Sequence, residues 1–336
     1  MKKALNLCFI ALLAVLITSC SSEKQLGIAT YSVKGLESDI EGSFKALAED
    51  GYVVMEISNY NAAEGKVAGY TPAEYAALAE KYGLDIISSH SSAGLNVNDP
   101  EGTLTAWGKI FDDHKTMGCK YVVLPMNFWS NNAEGLKAEC ALMNKIGEEA
   151  NKRGLKFGYH NHSMEFVTVP GTDQKYEDFL IANTDPDKVF FQMDVFWTVF
   201  GKQDPVAYLQ KYPDRIKVLH IKDDYVIGKS GNIDFKAIFD QFYKNGNKDW
   251  FVEMEEEMTP ETKAQTEAMM EMLTNMMLSG GPNPFAPRPQ GEEQGDAPPM
   301  PIPAPPDPAV IAENLKKSLE GIKLSAEYLQ NSDFVK

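Results

Sequence analysis

Short runs of apolar residues alternate with helical patterns along most of the chain. Eight runs have the length of buried strands, and their starts lie 26 to 36 residues apart, which is the length of one strand followed by one helix. The predicted strands are Leu26–Tyr31, Tyr52–Ile57, Leu84–Ser89, Lys120–Pro125, Leu155–His160, Val189–Asp194, Ile216–Ile221 and Asp249–Met254. Because the strands are apolar almost throughout and no Gly-rich loop follows the first, the pattern predicts an α/β fold of one domain, the (β/α)8 TIM barrel.

The regular alternation is interrupted once, after the eighth strand. A Met-rich helical pattern runs from Glu261 to Leu278, and 11 of the next 30 residues, 279–308, are proline. Such a segment is expected to be extended or disordered. The last amphipathic pattern, from Ile311 to Leu329, then predicts the eighth barrel helix. We therefore expect a barrel over 26–258 and 309–331, with an acidic, partly disordered Met/Pro-rich insertion over 259–308 that serves either as a lid on the barrel mouth or as an exposed linker.

The N-terminus has the features of an export signal. Lys2 and Lys3 precede an apolar stretch, and small residues then lead to Cys20. This ending resembles a bacterial lipoprotein signal. We expect residues 1–19 to be removed, Cys20 to carry lipid, and residues 20–25 to tether the protein to the cell envelope, facing the periplasm or the outside. A plain secretory signal is the alternative. The remaining cysteines, Cys119 and Cys140, are predicted to be core thiols.

The charge of the chain is strongly negative. It has 32 Lys and Arg against 48 Asp and Glu, a formal net charge of −16. Binding of nucleic acid requires clustered Lys and Arg, so the charge argues against a nucleic-acid partner, and none is predicted. No membrane contact is expected beyond the lipid anchor.

Polar side chains stand where the predicted strands end, which in this barrel class is the open mouth that carries catalysis. They are Glu56, His90, His160, His162, Asp194, His220 and Glu253. Buried imidazoles and carboxylates at one mouth are costly unless a partner neutralises them. One divalent metal ion (Mn, Co, Ni, Fe, Zn or Mg) would do so, and His160, Asp194, His220 and Glu253, from strands five to eight, are the predicted ligands.

Other residues near these ends are candidates for catalysis and substrate binding. Lys222 shares a face with His220, and burial could lower its pKa enough for proton transfer; a salt bridge to Asp223 or Asp224 is the alternative. His162 and Glu56 are the other predicted catalytic groups. The predicted substrate contacts are His90, Asn161, Trp129 and Trp197, of which the two tryptophans could stack on a substrate ring or simply pack in the interior.

At these residues the chain resembles the xylose-isomerase-like barrel superfamily, which includes sugar phosphate isomerases and epimerases, inosose dehydratase, keto-sugar epimerases and an endonuclease type. The matching stretches are Gly158-Tyr159-His160-Asn161-His162 with Glu165-Phe166, Met193-Asp194-Val195, Leu219-His220-Ile221-Lys222-Asp223 and Val252-Glu253-Met254-Glu255. The resemblance implies one divalent metal held by Glu, Asp, His and Glu. Asp194, His220 and Glu253 fit three of these places, but alignment puts Gly158 in the first, so His160 is the substitute, with His162 or Glu165 as alternatives.

The predicted activity follows from this site. A metal-dependent sugar isomerase or epimerase would remove the proton next to a carbonyl of an unphosphorylated keto-sugar or keto-glycoside. Elimination of the β-substituent from the same enediolate, as a lyase or dehydratase does, is one alternative. A non-catalytic sugar-binding lipoprotein is the other.

Overall fold

The barrel is closed and entirely parallel. A computed structural model describes residues 24–281 and 307–336. Its barrel strands are β1 (Leu26–Ala29), β2 (Tyr52–Ile57), β3 (Asp85–His90), β4 (Tyr121–Leu124), β5 (Lys156–His160), β6 (Val189–Asp194), β7 (Ile216–Ile221) and β8 (Asp249–Val252). Their order around the barrel follows the chain, and β8 closes it on β1 where Val252 pairs with Ile28. The predicted (β/α)8 barrel is confirmed.

Helices surround the strands. They are α1 (Ile40–Glu49), α2 (Pro72–Lys81), α3 (Pro100–Thr116), α4 (Ala133–Lys152), α5 (Tyr176–Asn183), α6 (Val195–Phe200), α7 (Pro205–Lys211), α8 (Phe235–Lys244), α9 (Pro260–Ser279) and α10 (Pro308–Asn331). The last of these packs against α1 and occupies the place of the eighth barrel helix. Tyr52 on β2 donates a hydrogen bond to the carbonyl of Ile322 on α10, which joins the helix to the barrel.

The barrel interior is filled from the strands. An apolar cluster contributed by the strands contains Ala29, Val54, Ile87, Val123, Phe190, Val218 and Phe251. Side chains two residues apart on a strand face the same way. On four of these strands the residue two positions later lies above this cluster, the apolar plug of the barrel, and faces the mouth: Glu56, Gln192, His220 and Glu253. The alternation of the strands sets the position of the polar layer.

Helix α9 extends over the carboxyl ends of the strands. It starts just after β8, and its far end contacts the segment that follows β4, where the amide of Asn131 donates to the carbonyl of Leu278 (3.3 Å). It also packs on a short 3-10 turn, Met164–Phe166, beyond β5. Because β4 lies opposite β8 in the barrel, the helix crosses the mouth. The linker interpretation therefore does not describe α9, and residues 282–306 of the predicted insertion lie outside the described range.

The predicted signal and Cys20 also lie outside the described residues. Of the predicted tether, Lys24 and Gln25 are described, and the ammonium of Lys24 donates to the carbonyl of Gln330 (2.7 Å) at the end of α10. No helix within 24–281 or 307–336 has the length and apolar character needed to cross a membrane. Cys119 and Cys140 are buried free thiols, as predicted.

A buried carboxyl on α4 makes the stability of the barrel depend on pH. Burial raises the pKa of Glu139 to about 7 from an ordinary 4.5, although Oε2 accepts a bond from the backbone N–H of Ser130 (3.2 Å). A raised pKa means that stability is full below about pH 4.5 and falls as pH rises through 7, by at most roughly 3 kcal/mol. We expect Glu139→Gln, which keeps the acceptor, to raise Tm at about pH 8 and to match the wild type at about pH 5.

Thermal unfolding across this pH range checks the prediction. Glu134→Gln is the matched control, because Glu134 is exposed on the first turn of the same helix. An equal shift in both variants would contradict the assignment to Glu139.

Candidate active site at the carboxyl ends of the strands

The centre of the site is a buried chain of charged groups that joins opposite sides of the barrel. Oε1 of Glu56 on β2 accepts a hydrogen bond from Nε2 of His220 on β7 (2.6 Å). On the other side of the ring, Nδ1 of His220 lies 2.8 Å from Oε2 of Glu253, without the alignment of a hydrogen bond. Burial alone would lower the pKa of His220, but the two carboxylates raise it to about 10. The imidazole is thus fixed in place by two carboxylates.

Glu56 is held by neutral donors as well as by histidine. Its Oε2 accepts from Ser88 (2.6 Å) and from the amide of Gln192 (2.8 Å), and the side chain is almost fully buried. Burial would raise the pKa of this carboxyl, but His90 and His220 outweigh it and lower the pKa to about 2. Because both of its oxygens are occupied, this carboxylate is placed to orient its neighbours. The sequence predicts instead a group that binds substrate hydroxyls or transfers a proton, with a capped loop carboxylate as the alternative.

Gln192 on β6 organises two further histidines. Its Oε1 lies 2.6 Å from Nε2 of His90 and 3.1 Å from Nδ1 of His160. The His160 ring packs edge-on to His90 and to His220, with centroids 4.8 and 4.7 Å apart. Burial, then His220 and His90, hold the pKa of His160 well below its usual range. His90, predicted to contact substrate, is part of this histidine cluster.

Asp194 ends β6 and begins α6. Its Oδ1 caps the helix by accepting from the backbone N–H of Trp197 (2.8 Å), whereas Oδ2 is buried without a hydrogen-bond partner. Burial raises the pKa of this carboxyl to about 7, an effect that Lys222 opposes and Glu253 supports. A buried carboxylate oxygen that lacks a partner is costly, so this atom is a place where a cation would bind.

Lys222 is buried between two carboxylates. Its ammonium donates to Glu253 (2.9 Å) and to Glu255 (2.7 Å), and it lies 4.9 Å from the ring centroid of Trp197. Burial lowers the pKa of the ammonium, but the two carboxylates outweigh it and raise the pKa above its usual range. The expected lowering of this pKa is wrong. The alternative of a salt bridge to Asp223 or Asp224 is also wrong, because the ammonium pairs with Glu253 and Glu255 instead.

The residues around the end of β5 take three different roles. Gly158 lies inside the barrel, where a Cβ would stand only 2.5 Å from the ring of Phe190, so an acidic side chain there would meet the apolar plug. Glu165 turns away from the mouth and accepts from Tyr159 (2.5 Å) and from the N–H of His162 (2.8 Å). His162 faces the site with a buried Nδ1 that has no partner. Burial, then Lys222, lowers its pKa to about 3, so the ring is neutral.

Two of the predicted substrate contacts are occupied within the protein. The side-chain oxygen of Asn161 accepts from the backbone N–H of Asp194 (3.1 Å), and Trp129 is buried in the core with its indole N–H on Tyr159 (3.0 Å). Neither presents a free group to the mouth, because each serves to pack one strand end on the next. Trp197 is also buried, but it borders the site, with its ring 5.4 Å from that of His162.

The predicted metal ligands fall into two overlapping groups. Donor atoms of Asp194, His220 and Glu253 lie within 4.8 Å of one another, and so do those of His90, His160 and His220. Three of the four predicted ligands thus come together, and His160 adjoins them through His220. Two carboxylates and an imidazole are a donor set that suits a divalent metal, and the partnerless Oδ2 of Asp194 belongs to it. The residues present fit such an ion.

Sequence reasoning missed three residues of the site: Ser88, Gln192 and Glu255. Gln192 carried a usable signal, since it stands two positions before Asp194 on the same face of β6. Glu255 carried a similar signal, two positions after Glu253, whereas Ser88 carried none, because only its contact with Glu56 makes it part of the site.

Comparison with known proteins agrees with the barrel fold. Residues 44–276 match the family model of the xylose isomerase-like TIM barrel. Inosose dehydratase of Clostridium tetani is 29% identical over 155 residues, 39% of this chain and 48% of that protein, so the match spans about half of the relative. Inosose dehydratase of Clostridium perfringens is 25% identical over 67% of this chain and 85% of its own length.

Solved structures show the same relationship. A sugar phosphate isomerase/epimerase from Parabacteroides distasonis is 30% identical, with a TM-score of 0.73 over 95% of this chain and 98% of that one. D-psicose 3-epimerase from Clostridium cellulolyticum, with D-tagatose, shares the fold at 14% identity and a TM-score of 0.55 over 76% and 97%. The family match and the 30% identical structure both cover most of the chain, and the chain therefore belongs to the xylose isomerase-like TIM barrel family.

Proposed function

We propose that this protein is a divalent-metal-dependent carbohydrate isomerase or epimerase that removes a proton next to the carbonyl of an unphosphorylated keto-sugar or keto-glycoside. The observation that carries the proposal is the buried group of Asp194, His220 and Glu253 beside the ammonium of Lys222. The names of its relatives support a carbohydrate substrate.

Asp194, His220 and Glu253 would hold the metal, with His160 as the candidate for a fourth ligand. When bound, a divalent ion would polarise the carbonyl and stabilise the negative charge that develops on its oxygen. Glu56 keeps the His220 ring oriented, because its carboxylate occupies Nε2 and so leaves Nδ1 directed at Glu253.

Two side chains are placed to move protons. His162 has a buried Nδ1 without a partner, which makes this nitrogen the candidate acceptor of the substrate proton. Lys222 is a cation held at the edge of the site, and its ammonium would donate to a substrate oxygen. Reprotonation of the enediolate on the other face gives an epimer, whereas reprotonation on the neighbouring carbon gives an isomer.

The charge around the mouth favours a substrate without phosphate. Glu253, Glu255, Glu256 and Glu257 follow one another closely where β8 ends. In the described part of the chain the arginines are Arg153, which pairs with Asp112 and Glu149, and Arg215, which donates to the carbonyl of Ile181. An exported, lipid-anchored protein, which the N-terminal sequence favours, would also meet sugars before they are phosphorylated.

Elimination is a second candidate reaction, because the curated relatives are named inosose dehydratases. Loss of a β-substituent from the same enediolate would make the protein a lyase. Incubation of the Mn²⁺-loaded protein with 3-keto-glucosides in D2O separates the outcomes. Deuterium next to the carbonyl in an epimer or isomer supports the first reaction, and release of the aglycone supports the second. A protein that binds the sugar without exchange would be a binding protein and would contradict both.

The role of Glu56 can be tested through metal binding. We expect Glu56→Gln to weaken divalent metal binding about 10- to 100-fold, because the neutral amide no longer holds His220 as the carboxylate does. Isothermal titration with Mn²⁺ measures the affinity. Ser92→Ala, in the exposed segment after β3, is a control that should leave the affinity unchanged. If Glu56→Gln binds Mn²⁺ as tightly as the wild type but loses turnover, Glu56 acts in proton transfer and not in holding His220.

A further inference from the structure

A cavity lies beside the site, between the start of the barrel and helix α9. Its volume is about 390 Å³, within the range of small-molecule sites. One wall comes from the segment after β1, with Tyr31 and Lys34, and the other from the segment after β8 and from α9, with Met258, Gln265 and Thr266. The insertion therefore builds part of this cavity.

The cavity reaches the edge of the site at the ion pair of Glu255 and Lys222. Glu255 lines the cavity, and its carboxylate accepts from the ammonium of Lys222 (2.7 Å). The same ammonium donates to Glu253 (2.9 Å). A ligand in the cavity would thus lie next to one bound at the centre, and a single molecule longer than one sugar ring could occupy both.

The lining suits a neutral, hydroxyl-rich ligand. Tyr31 keeps 45% of its surface exposed, with the ammonium of Lys34 over one face of its ring at 3.8 Å. Glu256 supplies an acceptor, Gln265 and Thr266 supply donors and acceptors, and Met258 adds an apolar wall. Aromatic rings contact the apolar face of a sugar, while mixed donors and acceptors bind its hydroxyls.

A phosphate fits this cavity poorly. The carboxylates of Glu255, Glu256 and Glu257 outnumber the single ammonium of the lining, that of Lys34, and repel an anion. A second sugar ring brings hydroxyls to both kinds of group without a net charge.

We propose that this cavity is a subsite for the second sugar residue of a glycoside whose reacting ring occupies the centre of the site. The inference rests on the proposed function and specifies its substrate: a keto-disaccharide in preference to a simple keto-glycoside. Helix α9 then serves as a specificity element, because Gln265 and Thr266 reach the second ring.

The test compares a disaccharide with a simple glycoside in the full-length, Mn²⁺-loaded protein. Thr266→Trp fills the cavity, and Met272→Trp, on an exposed part of the same helix, is the matched control. We expect Thr266→Trp to lower kcat/KM for 3-keto-cellobiose about tenfold and to leave that for methyl 3-keto-β-glucoside within about twofold. Met272→Trp should change neither value.

The outcomes separate the subsite from the reaction. Equal losses for both substrates in Thr266→Trp would overturn the subsite. If the wild type converts neither substrate, the proposed reaction fails, and binding of unreacted cellobiose and glucose is compared by titration. The subsite is supported if the wild type binds cellobiose more tightly than glucose, and if Thr266→Trp weakens cellobiose binding about tenfold while Met272→Trp does not. Binding of cellobiose that is no tighter than that of glucose, or that is undetectable, overturns it.

Discussion

His220→Ala is expected to weaken divalent metal binding by at least about 100-fold and to lower turnover roughly 1,000-fold. Even residues that only orient a ligand contribute 10- to 100-fold to metal affinity, and a ligand contributes at least that much. The stabilisation that a metal gives to a developing oxyanion is several kcal/mol, which corresponds to about three powers of ten in rate. Metal content after incubation with Mn²⁺ and the rate of deuterium exchange measure the two effects.

A second histidine provides the control for this experiment. His114 on α3 is fully buried, but its ring bonds to Ser89 (2.8 Å) and to the carbonyl of Ile110 (2.6 Å), away from the site. His114→Ala should lose stability and keep its metal. Full metal content in His220→Ala would refute the assignment of His220 as a ligand.

Lys222→Met should abolish most turnover while the metal stays bound. Removal of a group that donates to the substrate oxygen is expected to slow the reaction by roughly 100- to 1,000-fold. The variant also leaves Glu253 and Glu255 without the cation between them, which should cost about 3 to 5 kcal/mol of unfolding free energy. Urea denaturation, metal analysis and the exchange assay give the three values.

Lys211→Met is the matched control, because Lys211 pairs with Asp178 at 3.0 Å with half of its side chain exposed. Loss of such an exposed pair costs at most about 1 kcal/mol. If Lys222→Met turns over substrate as the wild type does, Lys222 stabilises the fold and takes no part in the reaction.

The barrel was predictable from the chain because its signals are local. The strands predicted from the apolar runs end within two residues of the observed ones, and Thr71 with Glu74 forms a capping box at the start of α2. Alternation along each strand also placed the chemistry: Asp194, His220 and Glu253 come together because each stands at the carboxyl end of its strand.

The partners within the site were not predictable in the same way. Glu56 and His220 are 164 residues apart in the chain. Lys222 pairs with Glu253 and Glu255 and not with its sequence neighbour Asp223. Such pairs depend on which side chains face each other across the closed barrel. The predicted direction of the Lys222 pKa shift is wrong for the same reason. The sequence pattern indicates that Lys222 is buried, but it does not indicate that Glu253 and Glu255 lie beside its ammonium.

The order of apolar and polar residues was sufficient to specify an eight-stranded barrel and to bring a particular set of imidazoles and carboxylates to its mouth, because strand periodicity is a local property. Only the tertiary structure decided which of those groups orient one another. It also decided that the ring of Phe190 occupies the space a side chain at Gly158 would need, and that α9 crosses the mouth and lines a second cavity. Those features arise from contacts between segments that are distant in the chain, and their geometry exists only when the barrel is closed.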